Sequence, residues 1–208
     1  MMTKEKLLAE IRMMGIKDKK VLEAIEKTPR EKFIRKTDDS QAYGNYPLPI
    51  GYDQTISQPY TVAYMIQELR LKKAHKVLEI GGGSGYNAAV MSNVVGKEGK
   101  IISIERIPEL VEFARKNIRK EGIENIWVVK GDGSKGYKKQ SLYDRIIVTA
   151  ACPKIPEALK DQLKQGGILL APVNAGFGQE MIRLKKTNHG FEEESLGQFR
   201  FVPLVTED

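Results

Sequence analysis

The segment "VLEIGGGSGYNAAV", residues 77–90, runs from a short apolar stretch through a cluster of glycines into a helix-forming stretch. Val77 to Ile80 reads as a buried strand, and Tyr86 to Val95 reads as a helix. Between them Gly81, Gly83 and Gly85 lack the Cβ atoms that would keep backbone amides away from a ligand. A glycine turn between a strand and a helix N-terminus suits a nucleotide-type cofactor.

Reading outward, the same alternation repeats. Strands are expected at Ile101 to Ile104, Ile126 to Val129, Arg145 to Thr149 and Ile168 to Val173, with helices at Pro108 to Lys120 and near Glu157 to Leu163. Apolar strands alternating with helices predict an α/β fold, a Rossmann-like and mostly parallel sheet with helices on both faces. Upstream, apolar residues at helical spacing predict helices over Lys4 to Met14 and Lys19 to Lys27, the second ended by Pro29. "TVAYMIQELR", preceded by Pro59, predicts another. At the far end "EMIRLKK" and "GQFRFVPLV", separated by "TNHGFEEESL", are expected to form an antiparallel hairpin on one sheet edge. We therefore expect one domain over 1–208: helices and a covering loop in 1–60, the core in 61–175 and the hairpin in 176–208.

Composition narrows the classes. The 208 residues include one cysteine, Cys152, and two histidines, so neither an internal disulfide nor a cysteine-rich zinc site is available, and no metal is expected. The charged N-terminus has no apolar run resembling a signal or a membrane span, and a cytoplasmic location away from membranes is expected. The net charge of +7 raises the question of nucleic acid. However, "KDKK", "KKAHK", "KNIRK" and "KKQ" are scattered, mixed with acids and not interleaved with aromatics, so a solvated surface is the expected reading.

The glycines leave the cofactor open, since Gly83, Gly85 and Ala88 also satisfy G-x-G-x-x-A, and Glu105 lies 20 residues beyond Gly85. Charge tips the balance. Glu79 at the end of the first core strand would repel a pyrophosphate, whereas it favours the ammonium and sulfonium of S-adenosylmethionine. Glu105 is placed to hold a ribose. Asp132, in "KGDGS", is suited to accept from an adenine amine, and all three acids fall at the carboxyl ends of consecutive strands, where ligands of open α/β sheets bind.

The stretch "YPLPIGYDQTISQPY", residues 46–60, has three prolines, one glycine and one charge. Its composition excludes a helix interior and argues against a disordered linker, leaving a structured loop suited to a binding wall.

These residues together resemble the protein-L-isoaspartate O-methyltransferases. From about Val21 to Val205, "PLPIG...QTIS.PY", "VLEIGGGSGY", "SIERIPELVEFARKN", "GDGS.GY", "YDRIIVTAA", "LKQGGILLAPV" and "RFVPLV" look like that family's blocks in order, and the Thr-Ile-Ser block is the family's own. The resemblance implies methylation of the α-carboxylate of L-isoaspartyl residues, and less efficiently of D-aspartyl residues, in damaged proteins. S-adenosylmethionine would be consumed and S-adenosylhomocysteine formed. It implies Ser57 as the active-site residue. Cofactor contacts are implied at Glu79, Gly81, Gly83, Glu105, Asp132 and Gly133. Substrate contacts are implied at Thr55, Ile56 and Ser57, with Arg200, Phe201, Val202 and Pro203 in the last block gripping the peptide backbone. Two positions depart: Asp53 stands where the family usually has glycine, which puts a negative charge or an altered turn beside the loop, and Asn45 stands where an aspartate is frequent.

A carboxylate is already ionised at neutral pH, so no general base is needed, and Ser57 or Thr55 could donate a hydrogen bond to it. Ser57 could also cap the helix that follows. Cys152 has no neighbouring acid or histidine and is expected to be a buried bystander. Trp127, Tyr43, Tyr46 and Tyr86 are expected in the core or pocket walls. The expected assembly is a monomer. Rival readings are an RNA methyltransferase, from the basic charge, and a non-enzymatic peptide-binding module, from Asp53.

Overall fold

The computed structural model describes residues 2–35 and 41–206. Helices α1 (Lys4–Met13) and α2 (Lys19–Lys27) open the chain, capped by Thr3 and Asp18, whose side chains accept from the amides of Lys6 and Lys20. A small antiparallel hairpin follows, β1 (Leu48–Gly51) with β2 (Gln54–Ile56), and then α3 (Pro59–Leu69). The core comprises β3 (Lys76–Ile80), α4 (Tyr86–Val95), β4 (Lys100–Glu105), α5 (Pro108–Lys120), β5 (Ile126–Lys130), β6 (Tyr143–Val148), α6 (Glu157–Asp161) and β7 (Leu163–Ala175). Strands β8 (Gly178–Thr187) and β9 (Gly190–Phe199) complete a seven-stranded sheet in the order β5-β4-β3-β6-β7-β8-β9.

Strands β3 to β7 pair in parallel, while β8 and β9 each pair antiparallel. The period-2 alternation divides the core in two. Val77, Ile101, Ile147 and Leu170 join the cluster under α2, α3 and α4, and their neighbours Leu78, Ile102, Ile146 and Leu169 join the cluster on the opposite face. The α/β architecture thus follows the reading of the sequence, and the strand and helix positions in the core agree to within a few residues.

Three expectations need correction. The hairpin's second strand is Gly190–Phe199, most of which was read as a connecting loop, and "RFVPLV" is no strand at all. Being an edge strand with solvent on both faces, β9 has no apolar alternation to betray it, and its three consecutive glutamates blunt the free edge. The residues after it cross the carboxyl ends of the sheet: Ala151 N donates to Val202 O at 2.8 Å and Leu204 N to Ala151 O at 2.7 Å. Secondly, the proline-rich stretch contains the β1–β2 hairpin, with Tyr52 and Asp53 at its tip, both at positive φ (57° and 56°). Two such residues make a tight hairpin turn whose twist matches its strands. Thirdly, Trp127 is 46% exposed on the β5 edge with Lys100 Nζ 4.4 Å from its ring centroid, and Tyr46 is similarly exposed, so neither belongs to the core.

Candidate active site at the carboxyl end of the sheet

The glycine loop leaves β3 and enters α4 at the sheet's carboxyl edge. Gly81 sits at φ 92°, and a Cβ there would lie 2.4 Å from Thr149 Oγ1. That contact is made by design of the loop, since Thr149 Oγ1 donates to the carbonyls of Ile80 and Gly81 at 2.9 and 2.7 Å. Gly83 N donates to Glu105 Oε2 at 2.9 Å, tying the loop to the end of β4, and Ile107 N donates to the other oxygen at 2.9 Å. An ionised carboxylate offers about four acceptor positions, so Glu105 keeps capacity for a ligand.

A cavity opens above this loop, walled by Gly81, Gly82, Gly83, Ser84, Tyr86, Asn87 and Glu105 on one side and by Gln54, Thr55, Ile56 and Ser57 on the other. The hairpin and loop that precede α3 therefore face the glycine loop across a gap. A second cavity continues past Glu105 to Gly131, Gly133, Pro203 and Leu204. Gly133 packs so closely that a Cβ would fall 2.2 Å from Ile80 Cγ2. A wider groove, lined by Pro47, Tyr60, Phe199, Arg200 and Phe201, meets the first cavity at Thr55, Ser57, Thr149 and Val202, which line both.

Of the residues singled out in the sequence, the fold brings Thr55, Ile56, Ser57, Gly81, Gly83, Glu105 and Val202 to the first cavity, Gly133 and Pro203 to the second, and Arg200 and Phe201 to the groove. Glu79 and Asp132 differ. Glu79 is fully buried beneath the glycine loop, where Asn87 Nδ2 donates to Oε1 at 2.7 Å and Ser103 Oγ donates to Oε2. Burial pushes its pKa up from 4.5 to about 7, against the two hydrogen bonds that favour its charged form. It lines neither cavity and acts on them through Asn87. Asp132 Oδ1 accepts from Ser134 N at 2.9 Å and Ser134 Oγ at 2.7 Å, and the adjacent glycines, rather than Asp132, face the second cavity. Gly85 also turns away from the cavities, toward Ile118 and Ala114 of α5.

The departures from the family pattern resolve on geometry. Asp53 is exposed at the hairpin tip and lines none of these cavities, so its charge faces water, and an aspartate tolerates the left-handed backbone for which glycine is the usual choice. Asn45 Oδ1 accepts from the Tyr60 amide at 3.0 Å and Asn45 Nδ2 donates to Glu10 Oε1 at 2.8 Å. The expected capping role of Ser57 is not seen. The residue at the start of α3 is Gln58, and it makes no side-chain cap bond. Cys152 is buried, its thiol pushed up to about 11 by burial and bonded to the Pro172 carbonyl at 3.4 Å.

Sequence reading missed Asn87, Thr149 and Arg30. Asn87 supports the loop from a wall position, and its buried Oδ1 has no partner within the protein. Thr149 gave a faint signal, a polar residue closing an apolar strand. Arg30, 1% exposed, donates through its guanidinium to the carbonyls of Ala42, Gly44, Tyr46 and Ser57, none of which can be read from residue types.

Comparison with known proteins converges on one family. The sequence profile described as "Protein-L-isoaspartate(D-aspartate) O-methyltransferase (PCMT)" matches residues 2–208. A protein named protein-L-isoaspartate O-methyltransferase from Methanococcus maripaludis is 51% identical over 193 residues, which cover 93% of this chain and 91% of that relative. One of the same name from Ignicoccus hospitalis is 49% identical over 194 residues, covering 93% and 92%. Among solved structures, one called protein-L-isoaspartate O-methyltransferase superposes with a TM-score of 0.90 at 36% identity, over 97% of this chain and 65% of that one. A Plasmodium falciparum beta-aspartate methyltransferase in complex with S-adenosyl-L-homocysteine gives 0.85 at 27% identity, over 97% of each chain.

Proposed function

This chain belongs to the protein-L-isoaspartate(D-aspartate) O-methyltransferase family, and from that premise we propose that it repairs damaged proteins by methylating the α-carboxylate of L-isoaspartyl residues and, less efficiently, the side-chain carboxylate of D-aspartyl residues. S-adenosylmethionine is the methyl donor. The observation that carries the reading is the shared wall: Thr55, Ser57, Thr149 and Val202 border both the cavity over the glycine loop and the groove beside it. A cofactor in the first and a peptide in the second would meet there.

The residues present fit the cofactor. A tight backbone cradle at Gly81 and Gly83, an acid with spare acceptor positions at Glu105 and an unpartnered buried amide oxygen at Asn87 suit a ligand rich in hydroxyl and ammonium donors. In this reading Gly81, Gly83 and Glu105 hold the ligand in the first cavity, Gly131 and Gly133 border the second with Asp132 in the turn between them, and Glu79 supports the loop from below. When bound, S-adenosylmethionine supplies an electrophilic methyl group on a sulfonium.

Ser57 would orient the substrate carboxylate by donating from its hydroxyl, with Thr55 beside it, while Ile56 and Val202 exclude water. No side chain has to remove a proton, because the carboxylate is ionised at neutral pH. Arg200, Phe201, Val202 and Pro203 would hold the peptide. Their backbone is itself braced, since Gln179 donates to Phe201 O at 3.0 Å and accepts from Phe201 N at 2.6 Å.

We place the enzyme in the cytosol as a monomer of one catalytic unit, with proteins rather than nucleic acids as clients. In support, no Lys or Arg lines the first cavity, and among the described residues no helix is long and apolar enough to cross a membrane. The test offers labelled S-adenosylmethionine with two matched peptides, one isoaspartyl and one aspartyl. Base-labile label on the isoaspartyl peptide alone is expected; label on neither, or on RNA only, would refute the reading.

A further inference from the structure

The acceptor carboxylate has to settle where the groove meets the cavity over the glycine loop, with the acid Glu105 on the cavity wall and the exposed Arg200 as the cation among the described residues lining the groove. Some positive potential must offset that acid and the substrate's own desolvation. Arg30 is a buried cation behind the wall, bonded to the Ser57 backbone. Its Nη2 donates to the carbonyl of Ser57 at 3.2 Å and to that of Tyr46 at 3.1 Å, and its Nη1 donates to Ala42 O at 2.7 Å.

Two features mark Arg30 as more than a brace. It makes no ion pair among the described residues, and its Nε has no hydrogen-bond partner, although the side chain is 1% exposed. A guanidinium stays protonated in proteins, so among the described residues the groups that bond directly to its charge are neutral carbonyls. Secondly, its guanidinium lies close to Tyr86, a wall residue: burial pushes that phenol up to about 12, and Arg30 opposes the rise while Glu31 adds to it. A neutral side chain could satisfy some of the same carbonyls without the desolvation cost of a buried charge.

We propose that Arg30 is a positioning residue that makes the site selective for an anionic acceptor, acting through the Ser57 backbone and its own buried charge without touching the substrate. This rests on the isoaspartyl reading above. It predicts that the enzyme distinguishes an isoaspartyl peptide from its isoasparaginyl analogue, in which a neutral carboxamide replaces the α-carboxylate at nearly the same shape.

Both peptides are measured as ligands of the S-adenosylhomocysteine complex, in the wild type and in Arg30→Lys, Arg30→Gln and Arg200→Gln, with melting temperature as the control for folding. The wild type should prefer the acid by at least about tenfold, a preference that persists at high salt because the charge is buried. Arg30→Lys should keep most of it. Arg30→Gln should lose it while S-adenosylhomocysteine affinity holds. A folded Arg30→Gln that keeps the preference overturns the proposal. If Arg30→Gln does not fold, the other arms decide: loss of preference in Arg200→Gln or at high salt assigns the selectivity to exposed charge and overturns it, whereas its survival in both upholds it. A wild type that methylates no isoaspartyl peptide would instead refute the functional reading.

Discussion

Asn45 Oδ1 accepts the backbone amide of Tyr60 at 3.0 Å, so the first turn of α3 is capped from the opening loop and not by Ser57, which lies two residues before the helix start. The helix and the loop over the site are thereby fixed to each other, and Asn45 Nδ2 extends the link to Glu10 on α1. Ser57 itself lines both the cavity and the groove.

Ser57→Ala should therefore lower turnover about 10- to 100-fold, the loss of ~1.5 to 3 kcal/mol of charge-assisted bonding to the carboxylate. Its melting temperature should barely move. Steady-state kinetics and thermal unfolding on the one variant check both halves, and a destabilised but fully active enzyme would remove the catalytic assignment.

For Asn45, replacement by Ala should cost about 1 kcal/mol of stability, as for other lost caps. Asn45→Asp keeps the acceptor for Tyr60 but loses the donor to Glu10 and sets two carboxylates side by side. Its stability should fall below wild type above about pH 5, where both carboxylates are ionised, and approach it in acid. Denaturant unfolding at two pH values reads the difference; equal stability of Asn45→Asp and wild type at neutral pH would contradict the geometry.

Glu105→Ala removes the acceptor for the Gly83 and Ile107 amides as well as the proposed ligand acceptor. S-adenosylhomocysteine affinity, measured by calorimetry, should weaken by roughly 1.5 to 3 kcal/mol, the range for hydrogen bonds to a charged group. Unchanged affinity would take Glu105 out of the site.

Glu79 links the buried support of the loop to pH. Its folded pKa of about 7 lies above the ordinary 4.5, so the folded state holds a proton that the unfolded chain has already released. Stability from this group is complete below about pH 4.5, declines as pH rises through 7 and then levels, a loss on the order of 3 kcal/mol. Glu79→Gln can keep the bonds to Asn87 and Ser103 without titrating. Its melting temperature should gain on wild type from pH 5 to pH 8, and a constant difference across that range would show that Glu79 is ionised throughout.

Much of this protein is legible in its sequence because the information is local. Each core strand carries its own short apolar run, and a parallel sheet brings the carboxyl ends of its strands to one edge. Strand positions therefore place Gly81, Gly83 and Glu105 together, while Gly133 follows from the family resemblance. The tertiary structure decided what depends on backbone partners. Arg30 meets Ser57 27 residues away, and Gln179 clamps Phe201 across 22, through peptide carbonyls and amides that every residue possesses, so no residue type announces the contact. Likewise Glu79 and Glu105 are the same side chain at the ends of adjacent strands, yet one is sealed beneath the loop and the other lines the cavity. Register decides this: Glu79 lies opposite Ser103, two residues short of Glu105 on the same face of the sheet, and the neighbours Ser103, Asn87 and Gly83 that fix each carboxylate come together only when the sheet and its loop have folded.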